Sequence, residues 1–584
     1  MDLRRTAAAT FLCLAFTAAP AAAGDPVMAL DDVRPGMRCT GYSVVSGVDP
    51  VAFDVEILDI VDGLPNVGTP GLLVSVSGPA VAETGVGPGF SGSPIYCPDA
   101  SGVPRVAGAI SEAIGEYEGK AVLATPIEAI LAVSPEPQGE RPVGRRSNTS
   151  ATNTPLIVSG LSARVAAKVT TAAERSGRRI LAAPAGPLAS SPRRALRGGS
   201  AVAVGLSTGD IRLAAIGTVS YVDANRVWAF GHGFDTTGPR SLLLQDAYVY
   251  RVVNDPQASL TGGSYKLAAP GRTIGTLTND GFSAVAGITG RKPPTIPIEV
   301  RVTDADAGVT QTTRVQAADE TDVGNPSGGS TVSFVAPLAV AEGVSRALGN
   351  AQGNLRSRMC ASIRVSEFGR PLRFCNSYVA GSESSGASGL GSGVTGAAGE
   401  DLGHAIAAVE SFKYGPLHVR DVRARVTLNR GARLAQLVDV SMPRRVPSGG
   451  HARVRILLRQ NGKFLRRSFR FKVPRGLRPG HRTLVFRGPG ADRTFEEELL
   501  LESGEFPRSP QARSSKLQSP KTVMRRAKRR LQSEVASISR YDGLTLRTRV
   551  KGKRRELRVY DDPTMRISGK QSVHVRVLRF KRRR

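Results

Sequence analysis

The sequence predicts a mostly β protein with a C-terminal β-sandwich accessory region. From Gly36 to about Val133, short β-branched runs such as Leu72-Leu73-Val74-Ser75-Val76 are broken by Gly and Pro, the punctuation of short strands. Further on, period-two alternation in Val422–Leu428, Ala452–Leu458 and Phe469–Val473 gives strands with one apolar and one charged face. Asn461-Gly462 between two of these runs predicts a tight hairpin.

Taken in order, the chain opens with Arg4 and Arg5, an apolar run from Ala7 to Ala19 and small residues up to Ala23, the pattern of a secretory signal peptide over 1–23. A first β unit covers 24–135. A connector over 136–200 holds helical spacing from Leu161 to Ser176 and a Ser/Arg/Pro/Gly-rich mobile loop from Pro187 to Gly199. The second β unit spans 201–380, with a helix near 334–350 and a hairpin carrying Cys360 and Cys375. Residues 381–404 are Gly/Ser-rich and read as a linker. A basic sandwich is expected over 405–490, and a basic C-terminal region with an amphipathic helix at 523–538 over 491–584. No stretch after the leader has the roughly 18–20 uninterrupted apolar residues of a membrane span.

Charge divides the chain. Residues 1–400 hold 33 Lys+Arg against 34 Asp+Glu, whereas 401–584 hold 46 against 15. The basic part is expected to meet polyanions through a salt-dependent field, with an anionic cell-envelope polymer as the partner in an exported protein. Nucleic acid is disfavoured as that partner, because no recognition motif or aromatic-interleaved basic stripe accompanies the charge.

Chemistry concentrates in two glycine-framed motifs, Gly89-Phe90-Ser91-Gly92-Ser93-Pro94 and Phe230-Gly231-His232-Gly233-Phe234. Serine oxygen is a poor nucleophile until a histidine takes its proton, and flanking glycines let backbone and substrate approach closely. The pattern points to Ser91 as nucleophile and His232 as general base, with the amides of Gly89 and Ser91 as oxyanion donors. That chemistry needs no metal and no organic cofactor.

The stretch from Val86 to Tyr96, with Val106–Ser111 and Thr125–Glu128, resembles the nucleophile half of the SpoIVB family of serine peptidases. The segment from Gly217 to Phe234 is similar to that family's Gly-His-Gly segment, and Ser264-Tyr265-Lys266-Leu267, Gly275-Thr276-Leu277 and Asn279-Asp280-Gly281 extend the likeness. The resemblance implies two trypsin-like β-barrel halves with the active site between them, acting on a protein or peptide substrate. Here the serine half precedes the histidine half, as in the family's secreted relatives of permuted order. The family's carboxylate upstream of the nucleophile has no counterpart in Leu73–Pro79. Asp235, Asp246 and Asp280 are the candidates for an orienting acid.

Once the leader with Cys13 is removed, Cys39, Cys97, Cys360 and Cys375 remain, an even set suited to an oxidising compartment. Of the three pairings, Cys39 with Cys97 and Cys360 with Cys375 is the economical one. A zinc site is disfavoured because no Cys-Xaa-Xaa-Cys pair occurs. The expected protein is a secreted or envelope-associated serine endopeptidase. The alternative is an inactive secreted scaffold or peptide-binding protein attached to an anionic envelope by its basic C-terminal region.

Overall fold

The computed structural model describes residues 24–579 apart from 63–69, 115–119, 137–154, 176–178, 185–193, 256–262, 325–329, 350–354, 381–392, 432, 461, 489–518, 540–542, 551–552 and 563–564. The expected signal peptide lies outside the described residues, as does most of the expected mobile loop.

The protein is mostly β. Strands β1 (Arg38–Ser43), β2 (Val51–Val61), β3 (Gly71–Ser77), β4 (Pro94–Pro98), β5 (Pro104–Ala113) and β6 (Ala121–Pro126) close a barrel in the order β1-β2-β3-β6-β5-β4. Alternation sets its faces: Phe53, Val55 and Ile57 of β2 point into the barrel core, whereas Asp54 and Glu56 between them are exposed. Helix α1 (Ile127–Leu131) follows β6 directly.

A larger sheet takes up the next part of the chain. Strand β7 (Leu156–Ser159), helix α2 (Ala163–Arg175) and β8 (Ile180–Ala183) lead into β9 (Ala201–Gly209), β10 (Arg212–Asp223), β11 (Arg226–Ala229), β12 (Gly238–Asp255), β13 (Gly263–Asp280) and β14 (Val285–Thr289). The sheet curls on itself, so that β9 pairs with both β12 and β10 and the six strands β9-β12-β13-β14-β11-β10 pair in a ring. Register shifts along the long β12–β13 pair supply the curvature. Val202, Val204, Val219, Phe230, Leu242, Leu244 and Leu277 fill the inside.

The sheet continues outward through β16 (Val309–Ala318), which follows β15 (Thr295–Asp304) in the chain. Helix α3 (Thr331–Leu348), β17 (Leu355–Val365), β18 (Leu372–Ala380), α4 (Gly393–Glu410) and β19 (Val419–Arg430) complete this part. Among the described helices α3 alone is long and apolar enough to cross a membrane, but Val335, Leu338, Ala339 and Val340 are buried in the core shared with β15 and α4. Buried Glu342 of α3 accepts from the Ser162 amide (2.9 Å) and from Arg346 (2.6 Å), fixing the start of α2.

Two boundaries differ from the sequence reading. The linker expected over 381–404 runs into α4, whose Leu402, Ala405 and Ile406 are buried. The sandwich expected from 405 begins later, because β19 joins the large sheet, parallel to β15 and antiparallel to β17. The later lobe comprises β20 (Arg433–Ser441), β21 (Arg445–Pro447), β22 (His451–Gln460), β23 (Lys463–Lys472) and β24 (Gly480–Arg487). After helix α5 (Pro520–Ser537) come β25 (Leu544–Val550), β26 (Lys553–Tyr560), β27 (Met565–Ser568) and β28 (Lys570–Leu578). Its sheets, β23-β22-β20-β27 and β21-β28-β24-β25-β26, share one core that includes Val454, Ile456, Phe471, Phe486, Leu546 and Val575. Strands β25–β28 thus complete this lobe, and α5 returns to the large sheet, burying Leu531 and Val535 there.

Both cysteine pairs, Cys39 with Cys97 and Cys360 with Cys375, stand at disulfide distance. The first joins β1 to β4 at the seam where the barrel closes. It spans 58 residues, so replacing both cysteines by Ala is expected to destabilise the protein by about 4 kcal/mol, checked by equilibrium denaturation.

Candidate functional site

The segment between β3 and β4 that carries Ser91 is shaped by glycine. Gly89 (φ +98°) and Gly92 (φ +95°) occupy left-handed backbone, and a Cβ on Gly92 would collide with the Thr218 carbonyl and the Phe230 amide. Most peptide groups of this segment have partners. The Pro88 carbonyl accepts from the Lys266 amide (3.0 Å), the Phe90 carbonyl from the Ser93 amide (2.9 Å) and hydroxyl (2.6 Å), and the Ser91 carbonyl from the Thr218 amide (2.8 Å). The Gly89 carbonyl accepts from the Thr218 hydroxyl (2.9 Å). Two donors are left over: neither the Gly89 nor the Ser91 N–H has a hydrogen-bond partner among the described residues.

The histidine motif follows β11 and meets this segment. Phe230 is buried at φ +75°, a conformation costly for a side chain of its size, and Gly231 follows at φ +65°. The turn is held by Phe230 N–H to the Thr218 carbonyl (3.1 Å) and by the Thr125 hydroxyl to the Gly231 carbonyl (2.6 Å). Strain of this kind at a motif residue, kept by contacts from the first barrel, ties the two motifs into one junction.

His232 is buried, with Nδ1 2.7 Å from the Gly233 carbonyl. A carbonyl only accepts, so Nδ1 carries the proton and Nε2 keeps its lone pair. Burial lowers the imidazole pKa, partly opposed by that hydrogen bond, so the ring is neutral at pH 7. Ser91 Oγ donates to the Ser111 carbonyl (3.3 Å), and no hydrogen bond joins it to His232 among the described residues. Catalytic hydrogen bonds in unliganded sites are often unformed until substrate is bound.

None of the three candidate acids bonds to the imidazole. Asp246 is engaged by the amide and guanidinium of Arg272. Asp235 is partly exposed and pairs with Arg240 (3.2 Å). Asp280 is buried and accepts from the amides of Phe234 (2.6 Å) and Asp235 (2.8 Å), so it shapes the loop just after His232 while the Gly233 carbonyl takes the ring proton. Burial raises its carboxyl to about 6, against the lowering effect of Arg240 and the two amides, and it is ionised at pH 7. Arg240 holds Glu320 through two nitrogens (2.7 and 3.1 Å) and lies 3.5 Å from Asp280, which makes a buried charge cluster under the loop.

Lys266 lies within the segment of family likeness, where its sequence context assigns it no role. Its ammonium is buried, bonded to the hydroxyls of Ser43 (2.7 Å) and Thr218 (3.0 Å), and 4.4 Å from the centre of the Phe90 ring. No carboxylate pairs with it among the described residues, and burial pushes its pKa down to about 7. The available signal was a lysine inside an otherwise uncharged strand segment, Tyr265-Lys266-Leu267-Ala268-Ala269.

Among the described residues no group of three or more His, Cys, Asp or Glu could hold a metal ion. No family model, curated protein or solved structure matches the chain.

Arg240→Met would leave Asp280 and Glu320 buried without their cation. It is expected to destabilise the protein by about 3–5 kcal/mol in chemical denaturation.

Proposed function

We propose that the protein is an exported serine endopeptidase in which the two six-stranded rings are trypsin-like halves and Ser91 and His232 act at their junction. One observation carries the reading: the Ser91 segment, whose every carbonyl from Pro88 to Ser91 is engaged, leaves the amides of Gly89 and Ser91 unengaged. Paired free amides beside a serine are what an oxyanion needs. The neutral His232 with its Nε2 lone pair supplies the base.

In this mechanism the Ser91 hydroxyl leaves the Ser111 carbonyl and turns to Nε2. As Oγ attacks the scissile carbonyl carbon, its proton passes to His232, and the carbonyl electrons settle on an oxygen held by the Gly89 and Ser91 amides. Collapse of that intermediate expels the amine, which takes the proton from His232 and leaves an ester on Ser91. Water, deprotonated by His232, then releases the acid and restores the serine. The Gly233 carbonyl does the orienting work of a triad acid without placing a negative charge beside the ring. Export rests on the leader pattern of 1–23 and on the paired cysteines.

A fluorophosphonate probe is expected to label the mature protein at Ser91 and to leave Ser91→Ala unlabelled. An absence of labelling in folded wild-type protein would sink the reading. Because burial lowers the His232 pKa and the base form is required, kcat/KM on a peptide substrate should fall on the acid side with a midpoint below the ordinary imidazole value of about 6.5.

A second role, attachment to an anionic envelope polymer, is favoured by the outer face of β22 and β23. Arg453 lies directly opposite Arg470, and His451 opposite Lys472, with Arg455, Arg459 and Arg466 exposed beside them. None of these arginines or Lys472 pairs with a carboxylate among the described residues. Like charges facing each other across strands destabilise a sheet until a counter-charge arrives. The double variant Arg453→Glu, Arg470→Glu is expected to bind a polyphosphate on the order of tenfold more weakly at moderate salt, with peptide cleavage unchanged.

A further inference from the structure

We propose that Lys266 is the positioning residue of the oxyanion site, setting through its backbone N–H and its side-chain nitrogen the direction of both amides, Gly89 and Ser91. The proposal rests on the serine-peptidase reading. A peptide group is planar and trans, so its N–H points opposite to its C=O. Fixing the Pro88 carbonyl therefore aims the Gly89 N–H, and fixing the Phe90 carbonyl aims the Ser91 N–H. Lys266 reaches the first directly, its amide donating to the Pro88 carbonyl at 3.0 Å.

It reaches the second through a chain of hydroxyls whose direction is fixed by hydrogen count. Each hydroxyl has one hydrogen to donate. The oxygens of Ser93 and the Phe90 carbonyl are 2.6 Å apart, so Ser93 must donate there, since the carbonyl has no hydrogen to give. For the same reason Thr218 donates to the Gly89 carbonyl at 2.9 Å. The 2.9 Å contact between Ser93 and Ser43 is then donated by Ser43. Ser43 and Thr218, their hydrogens committed, both accept from the Lys266 nitrogen, at 2.7 and 3.0 Å. Lys266 is thus the hydrogen source for two relays that end on the Phe90 and Gly89 carbonyls, on either side of Phe90. The third ammonium hydrogen is left for the Phe90 ring.

Packing alone does not explain a lysine here. Its stem lies directly beneath Gly89, where an added Cβ would come within 2.9 Å of the Lys266 Cβ, and an unbranched apolar side chain would fill the same space. Burying a cation without a carboxylate costs several kcal/mol, whereas an apolar replacement of similar volume is often neutral or stabilising. The relay needs only two N–H groups, so it survives loss of the ammonium proton.

The test compares wild type with Lys266→Met, which keeps the backbone N–H to the Pro88 carbonyl but removes the source of both side-chain relays, and with Ser93→Ala, which breaks only the relay to the Phe90 carbonyl. For each, four quantities are read: the fluorophosphonate labelling rate at Ser91, kcat and KM on a peptide, the melting temperature, and hydrogen exchange in a peptide covering 86–93. For Lys266→Met the expected result is a melting temperature at or above wild type, labelling and kcat lower by about 100-fold with KM little changed, and faster exchange confined to that peptide. Ser93→Ala should show the same pattern more weakly, and it decides the matter if Lys266→Met fails to fold. Labelling within about threefold of wild type together with unchanged exchange in a folded variant would overturn the proposal, being far short of the loss expected for a misdirected oxyanion donor. If wild-type Ser91 does not label, the serine-peptidase reading fails, and exchange alone decides whether Lys266 sets this segment: a local rise supports it and no rise overturns it.

Discussion

Thr218 is the point on which the arrangement of the two motifs depends. Its amide holds the Ser91 carbonyl, its carbonyl holds the Phe230 amide, and its hydroxyl stands between Lys266 and the Gly89 carbonyl. One residue of β10 therefore touches the nucleophile segment, the histidine turn and the buried lysine at once. The surrounding glycines follow from this closeness, since backbone meets backbone with no room for a Cβ at Gly92 or Gly231. A junction made of main-chain groups is stiff, because every displacement breaks a hydrogen bond within a desolvated interior.

Buried charge has a different task at each side of the junction. On the histidine side, Arg240 pairs with Glu320 and lies beside Asp280, and Asp280 spends its oxygens on the amides that follow His232. The acid acts on the loop and leaves the ring to a backbone carbonyl. The imidazole therefore lacks the carboxylate that would raise its pKa, and burial is free to lower it. On the serine side the cation has no such partner and is held by hydroxyls and an aromatic face.

What could be read in the sequence was what depends on local pattern. The glycine-framed Ser91 and His232 motifs fall together, the economical cysteine pairing stands at bonding distance, and α2, α3 and α5 form where helices are expected near 161–176, 334–350 and 523–538. Strands β22 and β23 pair antiparallel as far as Gln460 opposite Lys463, on either side of the expected hairpin turn. Partners at a distance were not legible. Period-two alternation in Val422–Leu428 fixes which side chains share a face but not which strand lies alongside, so the run reads as sandwich although β19 lies between β15 and β17 of the large sheet. The Gly233 carbonyl carries no side-chain signal. Asp280 was legible as an acid, but its partners lie 45 and 46 residues away.

The path of α5 has a mechanical consequence. The chain leaves the large sheet after β19 to build β20–β24, comes back to pack α5 on the core beside β18, and leaves again to finish the lobe with β25–β28. The basic lobe is therefore joined to the rest of the molecule by three passages of the chain. A pull on β25–β28 is passed directly to the packed helix that precedes them, so α5 would have to be stripped from the core before that half of the lobe could swing away.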